Sequence, residues 1–258
     1  MTIPLRTHAI EAAPSSTLGP IPFPRLVRVE WAKATDTRAA RWLLALVALS
    51  TAAMMLAPIL APTRFDQTYA SYLEVAAVAV SILLPVVAVL MFTGEWTQRT
   101  AFTTFTQEPR RLRVVNAKLA ASLILGGGGA VFGGAVTAAG LGLASASGRA
   151  LEANLTVGAI TGYLLFVLLN VLAGVALGAL LQSSATAIAA SFALPAAFAV
   201  LGTASTLVSD WIDMSTTWKW VLENDWTGHV PQISFSIVFW VAVPLAAGVV
   251  RTIRRDVG

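Results

Sequence analysis

The sequence predicts an all-α membrane protein with six transmembrane helices. Of its 258 residues, 57% are hydrophobic and only 12% are charged, whereas a soluble domain usually carries about 25% charged residues. Apolar segments of roughly 20 residues recur along the chain, and a helix needs this length to cross about 30 Å of hydrocarbon. No alternating strand pattern appears, so the spans are expected to be helices, whose backbone polar groups are satisfied internally.

Six segments are long and apolar enough to be spans. They cover approximately residues 41–60, 72–92, 119–143, 157–180, 185–207 and 233–250. We assign residues 21–258 to the single transmembrane domain that contains them. Residues 1–20 lack the continuous apolar core of a signal peptide, and they are expected to form a disordered cytoplasmic leader.

Basic residues indicate the orientation of the spans, because lysine and arginine near span ends favour the cytoplasm. With the N-terminus inside, only Arg64, Arg149 and Lys219 fall outside. Both termini are therefore expected in the cytoplasm. Abundant alanine and the excess of arginine over lysine favour a bacterial plasma membrane as the location. The formal charge of +4 is explained by topology, so no nucleic-acid partner is predicted.

An amphipathic helix is predicted before the first span, over residues 22–37. Phe23, Val27 and Trp31 fall on one helical face, while Arg25 and Arg28 point away from it. A basic face opposite an aromatic one suits an interfacial helix that lies among the lipid headgroups. The alternative is an ordinary solvated helix beside the membrane.

A second segment that is too polar to span lies outside, before the sixth span. Trp211, Met214, Trp218 and Leu222 are spaced as one helical stripe with acidic residues between them. Because tryptophan prefers the membrane interface, this segment is predicted to be a re-entrant or interfacial helix or helical hairpin. A loop that packs its aromatic side chains on the outer helix ends is an equal alternative.

The sequence contains few of the residue types that enzymes most often use for catalysis. The chain contains no cysteine, and its two histidines are His8 in the leader and His229 in the outer segment. Neither a paired-histidine metal site nor a histidine-based triad can be assembled from them inside the membrane. We therefore predict no catalytic residue and no metal site, and we expect that the chain is not an enzyme.

An internal energy source is also missing. A phosphate-binding P-loop requires lysine followed by serine or threonine, and none of the three lysines is followed by either. Ion-driven carriers usually keep ionisable residues within the membrane, but only Glu74 comes near a span, close to its outer end. We interpret Glu74 as an interface residue and expect any ATPase to be another polypeptide.

The connection between the second and third spans, GEWTQRTAFTTFTQEPRRLRVVNAK at residues 94–118, is polar and strongly basic. On a helix, Phe102 and Phe105 cluster on one side, while Thr100 and Thr104 lie on the other. Pro109 should end this helix at about Glu108. A topogenic loop explains the arginines, but it leaves the aromatic ridge unexplained, and the ridge suggests a docking surface for lipid or protein.

Glycines four residues apart recur within the predicted spans. This spacing puts both glycines on one helix face, where they permit close helix approach. The pairs are Gly129 with Gly133, Gly158 with Gly162, and Gly174 with Gly178.

In its connection and topology, the chain resembles the permease subunits of ABC-2 type ABC transporters. Both have an amphipathic helix before six spans, and the outer aromatic segment is similar to that family's outer re-entrant helices. The family's E, R, T, P-R and A-K pattern is matched by Gly94, Glu95, Arg99, Thr100, Thr104, Pro109, Arg110 and Lys118.

The resemblance implies that residues 94–118 contain a coupling helix that docks on a cytoplasmic nucleotide-binding (ATPase) subunit. Glu95 and Arg99 would fix the start of this helix. The remaining implied coupling residues are Thr100, Phe102, Thr104, Phe105, Pro109 and Arg110. A second permease subunit, identical or paralogous, would complete the transporter among membrane lipids. ATP and Mg²⁺ would bind to the partner subunit, and export would be the usual direction.

The cargo is expected to be amphiphilic or hydrophobic, such as a drug, an antibiotic, a peptide or a lipid-like molecule. This follows from apolar spans with occasional polar groups such as Asn170, although an intramembrane amide often bonds to a neighbouring helix instead. Two alternatives stay open: a non-transporting membrane anchor or regulatory subunit for a cytoplasmic partner, and an ion-coupled secondary carrier.

Overall fold

The computed structural model describes residues 21–98 and 100–254, without the side chains of residues 101 and 102. The leader predicted over residues 1–20 lies outside this part. The helices are α1 (Phe23–Thr35), α2 (Arg38–Leu60), α3 (Tyr69–Thr97), α4 (Ala101–Gln107), α5 (Arg111–Ala146), α6 (Val157–Leu181), α7 (Ser184–Gly202), α8 (Thr206–Trp211), α9 (Met214–Leu222), α10 (Val230–Ile237) and α11 (Val243–Arg254). A π-helical turn, Val238–Ala242, joins α10 to α11.

The prediction of an all-α protein with six spans is confirmed. Within the described residues, six helices are long and apolar enough to cross a membrane: α2, α3, α5, α6, α7 and the continuous helix formed by α10 and α11. The only extended pairing there is an isolated bridge between Thr68 and Glu152. Threonine side chains cap the first turns of α2, α3 and α6 by accepting backbone N–H groups, as helix N-termini require.

The helix boundaries differ from the predicted spans at both ends of the bundle. α3 has 29 residues and α5 has 36, so both continue beyond the hydrocarbon length. Most of the predicted 94–118 connection therefore lies within α3, α4 and α5. The fifth span ends at Gly202 rather than 207, because a separate helix begins at Thr206.

α3 and α6 form the centre of the bundle, and α2, α5, α7 and α11 surround them. Val80, Leu84 and Val87 of α3 share one buried cluster with Val167 and Val171 of α6. Because these two helices are covered by protein on most sides, their sequences are predominantly apolar.

Each of the three glycine pairs has at least one member at a close helix contact, as the spacing predicted. A Cβ atom on Gly174 would lie 2.6 Å from the carbonyl oxygen of Pro85, and one on Gly178 would lie 3.2 Å from that of Val89. The absence of side chains therefore sets the approach of α6 to α3. The other two pairs are equally crowded and face Leu84, Val80, Tyr163, Asn224, Val221 and Leu222.

The bundle has two chemically different ends. We call the end with α1, α4 and the last turn of α11 the basic end. The opposite end, which carries the connection between α2 and α3 and the segment from α8 to α10, is the acidic end. At the acidic end, Arg149 donates hydrogen bonds to the carbonyl groups of Pro58 and Ile59, which joins the ends of α5 and α2.

The outer segment before the sixth span is helical, as the first of its two predicted alternatives requires. α9 packs against α6, α7 and α10, and Trp218 is completely buried. The predicted continuous stripe is wrong at one point, because Asp213 interrupts the helix and caps α9 through the N–H and hydroxyl groups of Ser215. Trp211 consequently lies on α8, where its ring contacts Phe235 edge to face.

We predict that Gly174→Ala lowers the thermal stability of the purified chain. The new methyl group would collide with backbone rather than with a flexible side chain, and overpacking of this kind costs about 1–3 kcal/mol. The midpoint of thermal unfolding in detergent measures the effect. Gly128→Ala is the matched control, since that position is exposed and its Cβ would meet nothing within 4 Å. Equal midpoints for the two variants would contradict the tight α3–α6 contact.

Candidate functional site

Four charged side chains from three helices meet at the basic end. Lys118 Nζ of α5 lies 2.6 Å from Glu30 Oε2 of α1 and 3.3 Å from Glu95 Oε2 of α3. Lys33 Nζ of α1 lies 2.7 Å from Glu30 Oε1 and 2.6 Å from Glu95 Oε1. Positive and negative groups therefore alternate around a closed circuit, which we call the charge ring.

Most of the charge ring is removed from solvent. The side chains of Glu30, Glu95 and Lys118 are 5%, 9% and 6% exposed, whereas that of Lys33 is 42% exposed. Lys118 also donates a hydrogen bond to the carbonyl oxygen of Met91 (3.1 Å). Two ammonium groups balance two carboxylates, so the buried site is neutral overall, as burial of charge requires.

Lys33 closes the ring on its solvent side. Burial disfavours its charged form, but the carboxylates of Glu30 and Glu95 outweigh this and raise the pKa of Lys33 above its ordinary value. Its ammonium group therefore stays charged throughout the physiological pH range.

The short helix α4 is fixed directly to the charge ring. Thr104 Oγ1 donates a hydrogen bond to Glu95 Oε1 (2.9 Å), and the backbone N–H of Thr100 donates to the carbonyl oxygen of Glu95 (2.9 Å). Glu95, near the end of α3, is therefore bonded to residues of α1, α4 and α5. This is a wider role than the predicted one of fixing the start of the coupling helix.

The Phe105 side chain packs against two residues of its own chain, Trp96 and Arg111. Its ring centroid lies 6.1 Å from that of Trp96, and the guanidinium carbon of Arg111 lies 5.0 Å from the Phe105 centroid, within the range of a cation–π contact. Phe105 is therefore partly covered by its own chain but keeps some exposed surface, and its docking role stays a prediction. Among the side chains of α4 that the structure describes, Thr103, Thr106 and Gln107 are exposed, and all three are polar.

The turn after α4 is held by a second ion pair. Helix α4 ends at Gln107, close to the predicted end before Pro109. Glu108 accepts a bond from Arg113 (3.0 Å) and one from the backbone N–H of Arg110 (3.3 Å). Arg113 also donates to the carbonyl oxygen of Ile21, just before α1 (2.7 Å). Pro109 and Arg110 themselves are exposed.

Arg111 links the same turn to the sixth span. Its guanidinium group donates to the carbonyl oxygens of Thr252 (2.9 Å) and Ile253 (3.1 Å) in the last turn of α11. Thr252 in turn accepts a bond from Gln182 at the end of α6 (3.0 Å). The arginines after Pro109 therefore include structural contacts as well as the topogenic charge expected from the sequence.

A cavity of about 840 Å³ opens beside the charge ring, between α1, α2, α3, α4 and α5. Lys33, Glu95 and Thr104 line it. Ser184, at the start of α7, lies on its border and shares hydrogen bonds with Thr93 (2.7 Å) and Thr97 (3.0 Å). Within the described residues, no group of three or more carboxylate or histidine side chains could hold a metal ion.

The predicted interfacial helix exists as α1, but part of its apolar face contacts protein. Val27 and Trp31 pack against the buried core of the bundle, so this part of the face is not available to lipid headgroups. Phe23, Arg25 and Arg28 are exposed. Of the other predicted residues, Arg99 and the Phe102 side chain lie outside the described part of the chain.

Asn170, predicted in a substrate pathway, lies on α6 and lines cavities toward the acidic end. Its amide donates to the carbonyl oxygen of Phe166 in the same helix (2.9 Å) rather than to a neighbouring helix.

Sequence reasoning missed the partnership of Glu30 with Lys118. A signal was present, because Glu30 shares the helical face of Val27, Trp31 and Ala34. A glutamate on the apolar side of an amphipathic helix requires a buried partner. The identity of that partner depends on which helix packs there, and this is a tertiary property.

We predict that Lys118→Met strongly destabilises the protein, by about 3–5 kcal/mol, because it leaves the buried carboxylates with one cation between them. Glu30→Gln added to Lys118→Met restores neutrality and should recover part of the loss. Thermal unfolding of the single and double variants in detergent measures the coupling.

Lys219→Met is the control for this experiment. It breaks a lysine–glutamate pair of similar length, 3.3 Å to Glu223, whose side chains are 64% and 38% exposed. Exposed pairs contribute about 0–1 kcal/mol. If Lys118→Met cost no more than Lys219→Met, the charge ring would not be the structural junction described above.

Comparisons with known proteins assign no family to the chain, since no protein-family model, curated protein or solved structure matches it significantly. Its own geometry, together with the sequence resemblance of residues 94–118, therefore bears on its function. The relevant features are the charge ring, the short helix fixed to it and the cavity beside both.

Proposed function

We propose that this chain is the permease subunit of an ATP-driven exporter of the ABC-2 type. In this role it forms the substrate pathway and couples to a separate nucleotide-binding subunit. The observation that carries the proposal is the bond from Thr104 to Glu95, which ties a short helix with an exposed polar surface to a buried junction of three other helices.

The geometry supports a mechanical role for α4. A displacement of α4 by a docked partner acts on Glu95, and through the charge ring on α1 and α5. Arg111 carries the same displacement to the end of α11. Charge-assisted hydrogen bonds are short and directional, so these contacts pass a displacement of α4 directly to the helices that they join. Two discrete positions of this junction would be the switch that ATP binding biases.

The sequence agrees with ATP binding by a separate subunit. None of the three lysines is followed by serine or threonine, as a P-loop would require. ATP and Mg²⁺ would therefore bind to the partner subunit. Two permease subunits and two nucleotide-binding subunits would form the transporter in the bacterial plasma membrane, with both termini in the cytoplasm and an amphiphilic or hydrophobic cargo.

Docking at α4 predicts that Thr103→Trp abolishes most transport-linked ATP hydrolysis. Thr103 is exposed on α4, so a bulky side chain there obstructs a partner without disturbing the fold. Co-purification from native membranes should capture an ATPase subunit with the unmodified chain, and Thr103→Trp should reduce both capture and hydrolysis about tenfold. Thr63→Trp, at an exposed threonine of the acidic end, should change neither.

Two results would contradict the proposal. Capture of the ATPase unaffected by Thr103→Trp would remove α4 as the docking element. A complex that hydrolyses ATP but moves no substrate in sealed vesicles would instead indicate an anchor or regulatory subunit.

A second variant tests whether a displacement of α4 reaches Glu95, rather than whether the partner subunit docks on α4. Thr104→Val keeps the size of the side chain but removes the hydroxyl group that donates to Glu95. We expect the complex to assemble and hydrolyse ATP, while the ATP consumed per transported molecule rises several-fold, because a hydrogen bond to a carboxylate contributes about 1.5–3 kcal/mol.

Thr106→Val is the control, since that hydroxyl is exposed and bonds only within α4, to the carbonyl oxygen of Thr103. Equal coupling in both variants, measured as transport per ATP in vesicles, would show that force does not pass through Glu95.

A further inference from the structure

A second large cavity lies toward the acidic end, between α2, α3, α6, α7 and α9. Its volume is about 610 Å³, within the range of small-molecule sites. Apolar and aromatic side chains form most of its wall: Met54, Phe65, Phe166, Met214, Trp218 and Leu222. We call this space the Glu74 cavity, after the carboxylate of α3 that enters its lining.

Glu74 is half-buried in this lining, and its carboxylate has no hydrogen bond or ion pair with any described residue. The other two charged groups of the lining, Lys219 and Glu223, pair with each other at 3.3 Å. With two carboxylates and one ammonium group, the lining therefore carries one net negative charge. This carboxylate of Glu74 faces a partly open, largely apolar space, and its position at the membrane interface, expected from the sequence, stays a prediction.

The polar groups of α3 continue from the Glu74 cavity toward the centre of the bundle. Ser71, Glu74 and Ser81 lie on one face of the helix. Ser81 lines a smaller cavity of about 200 Å³, and Asn170 lines both cavities, so the two adjoin. The hydroxyl group of Ser81 and the indole N–H of Trp218 are buried without a protein partner. Buried polar groups in this state usually bind a ligand or water.

We propose that the Glu74 cavity binds an amphiphilic organic cation. The Glu74 carboxylate faces the positive charge of the ligand, and the aromatic wall of Phe65, Phe166 and Trp218 covers its apolar body and adds cation–π attraction. An anion of the same shape is repelled, because the single cationic group of the lining, Lys219, is occupied by Glu223. As a transport site this cavity rests on the proposed function; as a binding site it does not.

The test uses the full chain in lipid nanodiscs, without any partner subunit. Tetraphenylphosphonium is the probe, and tetraphenylborate, an anion of nearly the same shape, is the control ligand. Equilibrium dialysis should show saturable binding of the cation, and binding of the anion only to the same extent as to empty nanodiscs.

Three variants assign the binding to the cavity. Glu74→Gln should weaken cation binding about tenfold, because it removes the attracting charge at constant size. Lys219→Gln should strengthen it, since the variant frees Glu223. Val78→Trp, whose side chain enters the lining from α3, should block binding without changing any charge.

Asp225→Asn is the matched control, because Asp225 is an exposed carboxylate of the acidic end that does not line the cavity. It should leave affinity unchanged. Glu74 has no protein partner, so Glu74→Gln should also leave the thermal midpoint unchanged, which separates lost binding from lost folding.

Equal affinity of the phosphonium cation for the unmodified chain and Glu74→Gln would overturn the inference, as would equal binding of the borate anion. The proposed exporter function is tested separately from the binding site. Glu74-dependent binding without any ATP-driven transport would leave the binding site standing and remove the exporter, whereas ATP-driven transport with Glu74-independent binding would do the reverse.

Discussion

The burial of two carboxylates and a lysine at one end of an apolar bundle is the constraint on which the rest of this structure depends. Glu30, Glu95 and Lys118 are almost fully enclosed, and a buried charge without a partner is very costly. Their arrangement with Lys33 as a closed alternating circuit satisfies each group twice. Because the four residues come from α1, α3 and α5, satisfying them fixes those helices relative to one another, and Thr104 adds α4 to the same junction.

α3 connects this junction to the opposite end of the molecule. Glu95 lies near its last turn and Glu74 near its first, about 30 Å apart along the axis at 1.5 Å per residue. Each borders a large cavity, while the centre of the helix is closed by the contact between Pro85 and Gly174. The two large cavities therefore lie on opposite sides of this contact, and α3 borders both.

Much of this architecture could be predicted from residue order alone. Apolar length predicts the spans, Pro109 predicts the end of α4, and glycines four residues apart predict close helix faces without identifying the helix that packs there. Local sequence patterns did not predict which tertiary partner a side chain contacts. Phe105 lies on a ridge in the helical projection, yet it packs on Trp96 and Arg111. Trp211 and Met214 fit one continuous helical stripe, yet Asp213 between them separates two helices and caps the second.

The sequence by itself determined that the chain is a helical membrane protein with a basic end, a short helix before Pro109 and no P-loop, because hydrophobic length, charge placement and backbone chemistry act locally. Tertiary structure alone decided which charges meet. Glu95 and Lys118 belong to the same polar connection, but Glu30 and Lys33 reach them only because α1 folds back on α3 and α5. Likewise, only packing decided that Glu74 borders a largely apolar cavity, since the wall opposite it comes from α6 and α9, far along the chain.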